Sequence, residues 1–599
     1  MSEKLGVEEI DHSPPLSGHG DNIDNDGITV DKMTTAHTDP LQHVPSYSRE
    51  GDEIAPGYWK SPRFLGSILA IALLANSLFV GYSMPINILS VIDADIGPSP
   101  NIYLVSLSFT LVSGVLLLII GSLSDIVGRR WFIIGAQTFG LVGSIVCATA
   151  KNVNTLIAGT VLTAVAGAAQ QLYPLLVQEI VPNQYRIWAQ AFIMATVVPT
   201  IGFGTLFARA FVANTALAWR WCYWLNVIVC GISILLFAFC YFPPDFETIN
   251  KNLTKMEELK RIDYGGLFLY SAGLILLLLG FTYGEGTYPW KDAHTLATLI
   301  IGAILVVAFI LYEVYVPLKQ PLIPIRIFKI RNANAAMVIG CVGQMVYYAL
   351  NLLWPTVIQT FFTTDNIRIG LISSTTGASL AFGEIIVAPF FKKIGHLKYQ
   401  LLAAAVIITT TTALMSIIDQ HKLGAAIALT LISGCMVGVI EAITIVVVGL
   451  IVPPEDIGVT IGFYASIRAI TGTIALSIYV SVYSARLPVF LARDVVSYAE
   501  AAGLPASSAA DLIAAAVGNG TTAAINAVPG MTPSILEAVG LGTLAGYQDT
   551  FKVVFLATLA FGGLSIISAF FIEDVGQYLN NFVNKTLTNT SKRPDVEKQ

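Results

Sequence analysis

The feature that most constrains this chain is the recurrence of apolar stretches of about twenty residues, separated by short polar loops. A stretch of that length crosses the hydrocarbon core of a bilayer as a helix, because backbone polar groups in lipid must be satisfied within the segment. Such stretches occur near 64–84, 102–122, 131–150, 155–178, 187–212 and 220–242, then as a pair at 264–284 and 296–316. Six more follow at 333–357, 369–391, 399–417, 424–452, 457–484 and 551–572. The spacing predicts an all-α membrane protein of 14 transmembrane helices in a 6 + 2 + 6 grouping. Composition agrees: 55% of residues are hydrophobic and 12% charged, whereas soluble domains carry about 25% charged residues.

The segments between and beyond the spans set the expected organisation. Residues 1–60 are polar, with acidic clusters and prolines, and read as a disordered cytoplasmic tail. They lack a basic region followed by an apolar core, so the first stretch is expected to act as an uncleaved signal and first span. A six-helix bundle is expected over 61–243, an inserted helix pair with linkers over 244–330, a second bundle over 331–575, and a cytoplasmic tail over 576–599. Loops after even-numbered stretches carry the basic residues, among them Arg129, Arg130, Arg186, Lys251, Arg326, Lys329 and Lys393. The positive-inside rule then predicts both termini in the cytoplasm. The long loop 485–550 falls outside; stretches such as 499–516 suggest short surface helices, and Asn519-Gly520-Thr521 is a glycosylation acceptor there.

Several function classes are excluded. The formal charge of −6 offers no basic stripe for nucleic acid. The six cysteines all lie in apolar runs without metal or framework spacing, so no metal site and no secreted disulfide scaffold is expected. No nucleophile elbow or nucleotide loop is present, and Gly280–Gly286 lacks the strand and helix context of a phosphate loop. The chain is therefore expected to be no enzyme, to need no cofactor, and to draw energy from an ion gradient or from the substrate's own. A receptor would be expected to carry a long signalling tail after its last span.

One local signal is more specific. Gly121-Ser122-Leu123-Ser124-Asp125-Ile126-Val127-Gly128-Arg129-Arg130 joins the second and third stretches. Gly121 allows close helix approach, Gly128 a tight reversal, Asp125 a carboxylate for a guanidinium, and the arginines an anchor at the anionic leaflet. This segment resembles the signature loop of the major facilitator superfamily, and the helix count resembles its fourteen-helix fungal drug:proton antiporter branch. Glu179-Ile180-Val181-Pro182-Asn183-Gln184-Tyr185-Arg186, Trp219-Arg220-Trp221, Gly343-Gln344-Met345-Val346-Tyr347-Tyr348 and Trp354-Pro355 are together similar to the fungal trichothecene efflux pump family, with siderophore transporters as near relatives. Thr160 and Thr163 stand where that branch usually has an arginine and a glutamine, and only Pro199, Gly202 and Gly204 remain of its glycine-rich motif. Proton antiport is thus implied by the branch as a whole.

The resemblance implies a cavity lined by the first and fourth helices of each half. Asn76, Tyr82, Gln170, Gln171 and Tyr173 then face Tyr347, Tyr348 and Trp354 as substrate-cavity candidates. Charge within a span is costly and marks function. Glu441 and, after it, Glu384 are the proton-coupling candidates, and Arg468 joins Gly121, Asp125, Gly128, Arg129 and Arg130 as a gating candidate. The glycine pairs Gly434/Gly438 and Gly458/Gly462 are expected to serve close helix packing. The implied activity is proton-coupled efflux of an organic toxin or secondary metabolite. Proton-coupled uptake of a ferric siderophore is the alternative, and a non-transporting receptor a third reading. The expected partners are a small organic substrate, protons and the lipid bilayer. A monomer in the plasma membrane is expected, with a vacuolar or vesicular membrane as the other location.

Overall fold

In the computed structural model, the described residues run from 60 to 575, apart from 98, 100–101, 244–262, 285–289, 317, 319–320, 324, 454–455, 520–521 and 574. The expected tails 1–60 (Lys60 excepted) and 576–599 and most of the linker after the first bundle lie outside them. Every regular element among these residues is helical. Fourteen helices are long and apolar enough to span a membrane. They are α1 Pro62–Ile86, α2 Leu104–Gly121, α3 Arg129–Ala148, α4 Val153–Ile180, α5 Asn183–Asn214, α6 Arg220–Cys240, α7 Tyr264–Phe281 and α8 Ala293–Tyr315. The remainder are α9 Arg331–Phe361, α10 Ile367–Phe391, α11 Leu397–Ile417, α12 Leu423–Ile451, α13 Ile457–Ala501 and α14 Pro533–Phe570.

Local chemistry sets many of the ends. Ser61, Asn152, Asp263, Asp292, Asp365 and Thr532 each accept a backbone N–H with the side chain at a helix start, satisfying one of the orphan donors there. Pro62 and Pro533 occupy first-turn positions, where no N–H is needed. Gly128, at φ +100°, provides the reversal between α2 and α3, a backbone state a side chain would resist. Inside the spans the helices are broken where it counts: α1 passes through a π turn at Phe79–Ser83, and α4 is interrupted between Gln170 and Tyr173.

Helices α1–α6 form one bundle and α9–α14 another, joined along two seams where α2 packs on α13 and α5 on α10. The inserted helices α7 and α8 pack chiefly on each other, with α7 touching α2 and α13. Small residues make the crossings possible. A Cβ at Gly121 would run into the Gly458 carbonyl, and one at Gly462 would lie 2.7 Å from the Leu117 carbonyl. Gly434 and Gly438 do the same for α12 against α10, at Ser379 and the Leu380 carbonyl.

The structure corrects the expected loop 485–550. Most of it is helix: α13 continues to Ala501 and α14 begins at Pro533, so the connection is only 502–532. The short helices there are Ala509–Ile513, within the expected 499–516, and Thr522–Asn526 beyond it. The reason is a private core. Leu491, Val495 and Ala499 of α13 and Ile535 and Val539 of α14 bury against Leu504, Leu512 and Val528. At about 1.5 Å per residue, α13 outlasts the roughly 30 Å hydrocarbon core, so the two helices rise as a crown at the bundle end opposite the signature loop.

Candidate functional site

A cavity of about 180 Å³ lies between the two bundles. The break in α4 turns Gln171 and Tyr173 toward it, while α9 contributes Gln344, Tyr347 and Tyr348. Glu384 of α10, Glu441 of α12 and Arg468 of α13 complete its polar lining, amid Phe79, Leu380 and Ile445. Both coupling candidates from the sequence therefore meet in one place.

Their surroundings differ. Arg468 Nη2 stands 2.6 Å from Glu441 Oε1 and donates to Gln344 Oε1 at 2.7 Å, and its guanidinium lies 5.4 Å from the Tyr464 ring centre. Glu441 is thus neutralised in place. Glu384 is 1% exposed and has no ion-pair partner among the described residues. Its Oε2 faces Gln190 Nε2 of α5 at 3.5 Å, and its Oε1 has no hydrogen-bond partner. Gln190 Nε2 also lies 3.3 Å from the Tyr173 hydroxyl, so one amide links α4, α5 and α10 across the junction of the halves. Ionising a dry, unpaired carboxylate costs several kcal/mol, so the charge state of Glu384 is tied to water access.

The other cavity candidates pack elsewhere. Asn76 is held by Thr196 and Thr200 of α5 at 3.2 and 3.0 Å. Tyr82 stacks on Phe109 at 3.7 Å between ring centres, its hydroxyl on Ser106. Gln170 donates to Gln137 of α3 at 2.8 Å, inside the first bundle. Trp354 is fully buried, its indole N–H directed to Ile372 O and Thr375 of α10, both at 3.2 Å.

The signature loop lies at the end of the bundles where α4 and α5 meet the end of α12. Arg129 is buried against Glu179 at 3.0 Å and also donates to Ser124 Oγ and the Gly121 carbonyl. Arg130 lies 4.0 Å over the Phe242 ring. The side chain of Asp125 lies outside the described residues, as does that of Asn519 with Gly520 and Thr521. Two contacts bridge the halves here: Gln178 Nε2 donates to Ile445 O and Arg186 Nη1 to Gly449 O, each at 3.1 Å. At the opposite end, Asp95 accepts from Trp219 Nε1 and Arg220 Nη1, both at 2.9 Å, and these bonds hold its carboxyl below the usual range.

Sequence reasoning passed over Gln178, Gln190 and the roles of Glu179 and Arg186. Glu179 was read only for the likeness of its segment to a family, and Arg186 for that likeness and as a basic loop residue. Gln190 lies one helical turn beyond Arg186 on the same face, a spacing that could have placed it at the junction. No group of three or more metal-ligating side chains occurs among the described residues.

Comparisons with known proteins agree with this fold. The profile described as the fungal trichothecene efflux pump matches residues 30–597. The chain is 30% identical over 551 residues to the trichothecene efflux pump of Fusarium sporotrichioides, covering 91% of this chain and 92% of that one. It is 28% identical over 550 residues to the pump of the same name from Trichoderma arundinaceum, covering 89% and 90%. An MFS-type transporter of Penicillium rubens is 30% identical over 447 residues, covering 74% and 80%. Among solved structures, the human organic anion transporter MFSD10 superposes with a TM-score of 0.50 at 12% identity, covering 86% of this chain and all of that one, and shares the fold.

Proposed function

Because the chain belongs to the fungal trichothecene efflux pump family, we propose that it exports an uncharged, oxygen-bearing organic toxin or metabolite in exchange for protons, with Glu384 as the proton carrier. The observation that carries this reading is the contrast inside one cavity. Glu441 is bound to Arg468, whereas Glu384 is buried beside it with a free carboxyl oxygen. The lining of tyrosines, amides and aliphatic side chains, with its one described ion pair internally balanced, suits a ligand without net charge.

In this reading the basic signature-loop end faces the cytoplasm and the crown faces outward, in the plasma membrane. In the proposed cycle the contacts of Gln178 and Arg186 form when the cytoplasmic end closes and the cavity opens outward. A proton taken up by Glu384 there removes the cost of burying it, and the halves then rock about the α2–α13 and α5–α10 seams. Opening inward hydrates Glu384, which releases the proton and leaves Tyr173 free to engage substrate. Asp125, Arg129 and Arg130 are assigned to the latch that forms and breaks in each cycle.

The test uses proteoliposomes loaded by an imposed pH gradient, with a radiolabelled trichothecene as probe. Wild-type protein accumulates the probe against its gradient. Glu384→Gln abolishes accumulation and spares exchange at equal concentrations. Accumulation by Glu384→Gln would remove Glu384 from the mechanism, and a wild-type protein indifferent to the pH gradient would sink antiport itself.

A further inference from the structure

A second cavity, about 360 Å³, opens where the start of α9 meets the end of α14. Phe328, Ala335, Val338 and Phe571 form its apolar walls, and Lys329 and Arg331 stand among the lining residues. It lies at the ends of two membrane-length helices: Arg331 is the first residue of α9, Phe571 follows the last of α14, and Val338 lies about 10 Å further along α9 by helical rise. The slot therefore begins among charges and ends among hydrocarbon.

The cations at its mouth are not spent on one another. Arg326 nearby is neutralised by Asp456 at 2.7 Å, but Lys329 is exposed and has no ion-pair partner among the described residues. Arg331 gives Nε to the Phe571 carbonyl at 3.1 Å and lies 3.5 Å from Glu573, a pair about 60% exposed on both sides. The start of α9 has no side-chain cap, so its first N–H groups are left unsatisfied by a side chain. An uncharged transport substrate has no use for this set of donors, and a soluble anion has no use for the apolar slot below them.

We propose that this crevice binds an anionic phospholipid, its phosphate on Lys329, Arg331 and the first turn of α9, and an acyl chain along Val338 and Phe571. The proposal rests on the orientation given above, which puts the crevice in the anionic cytoplasmic leaflet. Lipid at this site would hold α9 against α14 at the end where the two bundles close.

The full-length protein, purified in detergent, is offered palmitoyl-oleoyl phosphatidylserine or the matching phosphatidylcholine, and bound lipid is counted by native mass spectrometry. Phosphatidylserine is retained in preference to phosphatidylcholine. Lys329→Gln, a surface change, weakens that retention about fivefold, and Val338→Trp, which fills the slot, removes it. Inorganic phosphate and glycerophosphoserine displace nothing. Equal retention of the two lipids, or retention unchanged in Lys329→Gln, overturns the proposal, and displacement by inorganic phosphate would reassign the crevice to a soluble anion. If Val338→Trp fails to fold, Lys329→Gln decides alone. None of these readouts requires transport, so failure of the antiport reading leaves the result interpretable.

Discussion

Arg468 on α13 grips Glu441 on α12 at 2.6 Å, and the same guanidinium nitrogen reaches Gln344 of α9 at 2.7 Å. Three helices of the second bundle are tied at the cavity wall by one cation. Removing one partner from such a pair leaves the other charge stranded, which costs about 3–5 kcal/mol when burial is deep; with both side chains 12–17% exposed, the lower end applies. Glu441→Gln is expected to lower the thermal midpoint in detergent, and Glu441→Leu combined with Arg468→Met to recover most of it. The folded Glu441→Gln protein still responds to an imposed pH gradient, unlike Glu384→Gln. Loss of that response in Glu441→Gln would return the proton to Glu441.

Gln190 sits between the Tyr173 hydroxyl and Glu384. Losing one hydrogen bond worth about 1–1.5 kcal/mol corresponds to about a five- to tenfold change in an equilibrium. Gln190→Leu is expected to reduce the accumulation ratio by that factor with exchange at equal concentrations unchanged. A parallel fall in exchange would show that Gln190 merely supports the cavity.

Gly121 lies against the Gly458 backbone at the α2–α13 crossing. A methyl there overpacks the seam between the two bundles at a cost of about 1–3 kcal/mol. Gly121→Ala should accelerate hydrogen exchange of the backbone amides near Gly449, where Arg186 bridges the halves, about fivefold or more. Unchanged exchange would mean that α13 yields locally and that the two seams move independently.

Asp95 contributes in a pH-dependent way. Hydrogen bonds from Trp219 and then Arg220 depress its folded value, so its stabilisation is complete above the ordinary carboxylate range and disappears as pH falls through that depressed value. Asp95→Asn is expected to melt below wild type at pH 7, with the gap constant down to about pH 5 and closing only in stronger acid. A gap that closed between pH 7 and pH 5 would contradict this assignment.

The spans were legible because a twenty-residue apolar run has one physical outcome in lipid, and Glu384 and Glu441 were legible because charge in such a run is rare. Which residue on a cavity helix faces the cavity was not. Gln170 and Gln171 are neighbours in sequence, yet about 100° apart around a helix; the break in α4 gives Gln171 to the cavity and leaves Gln170 to Gln137. Trp354 looked like a cavity aromatic, but its N–H found acceptors on α10 instead. Short helices were legible within 499–516, but the extensions of α13 and α14 were not, because Arg486, Pro488, Arg493 and Asp494 interrupt the apolar run until the two helices are placed side by side. The Arg468–Glu441 pair was legible as a possibility, since the two lie on consecutive spans, while its distance needed the fold.

The length of α13 gives the molecule a lever. Its lower end meets α2 at Gly458, and its upper end, clamped to α14, stands some forty residues away, or about 60 Å by helical rise. Tilting such an arm by roughly ten degrees about the Gly121 pivot sweeps its tip through about 10 Å, far more than any displacement at the cavity itself. Pro488 is the one place along the arm where that sweep could be absorbed. The crown thus works like the pointer of a balance: a protein fragment clamped to it from solution would brake the rocking without ever entering the membrane, and a fluorophore pair on it would display the turnover of single molecules.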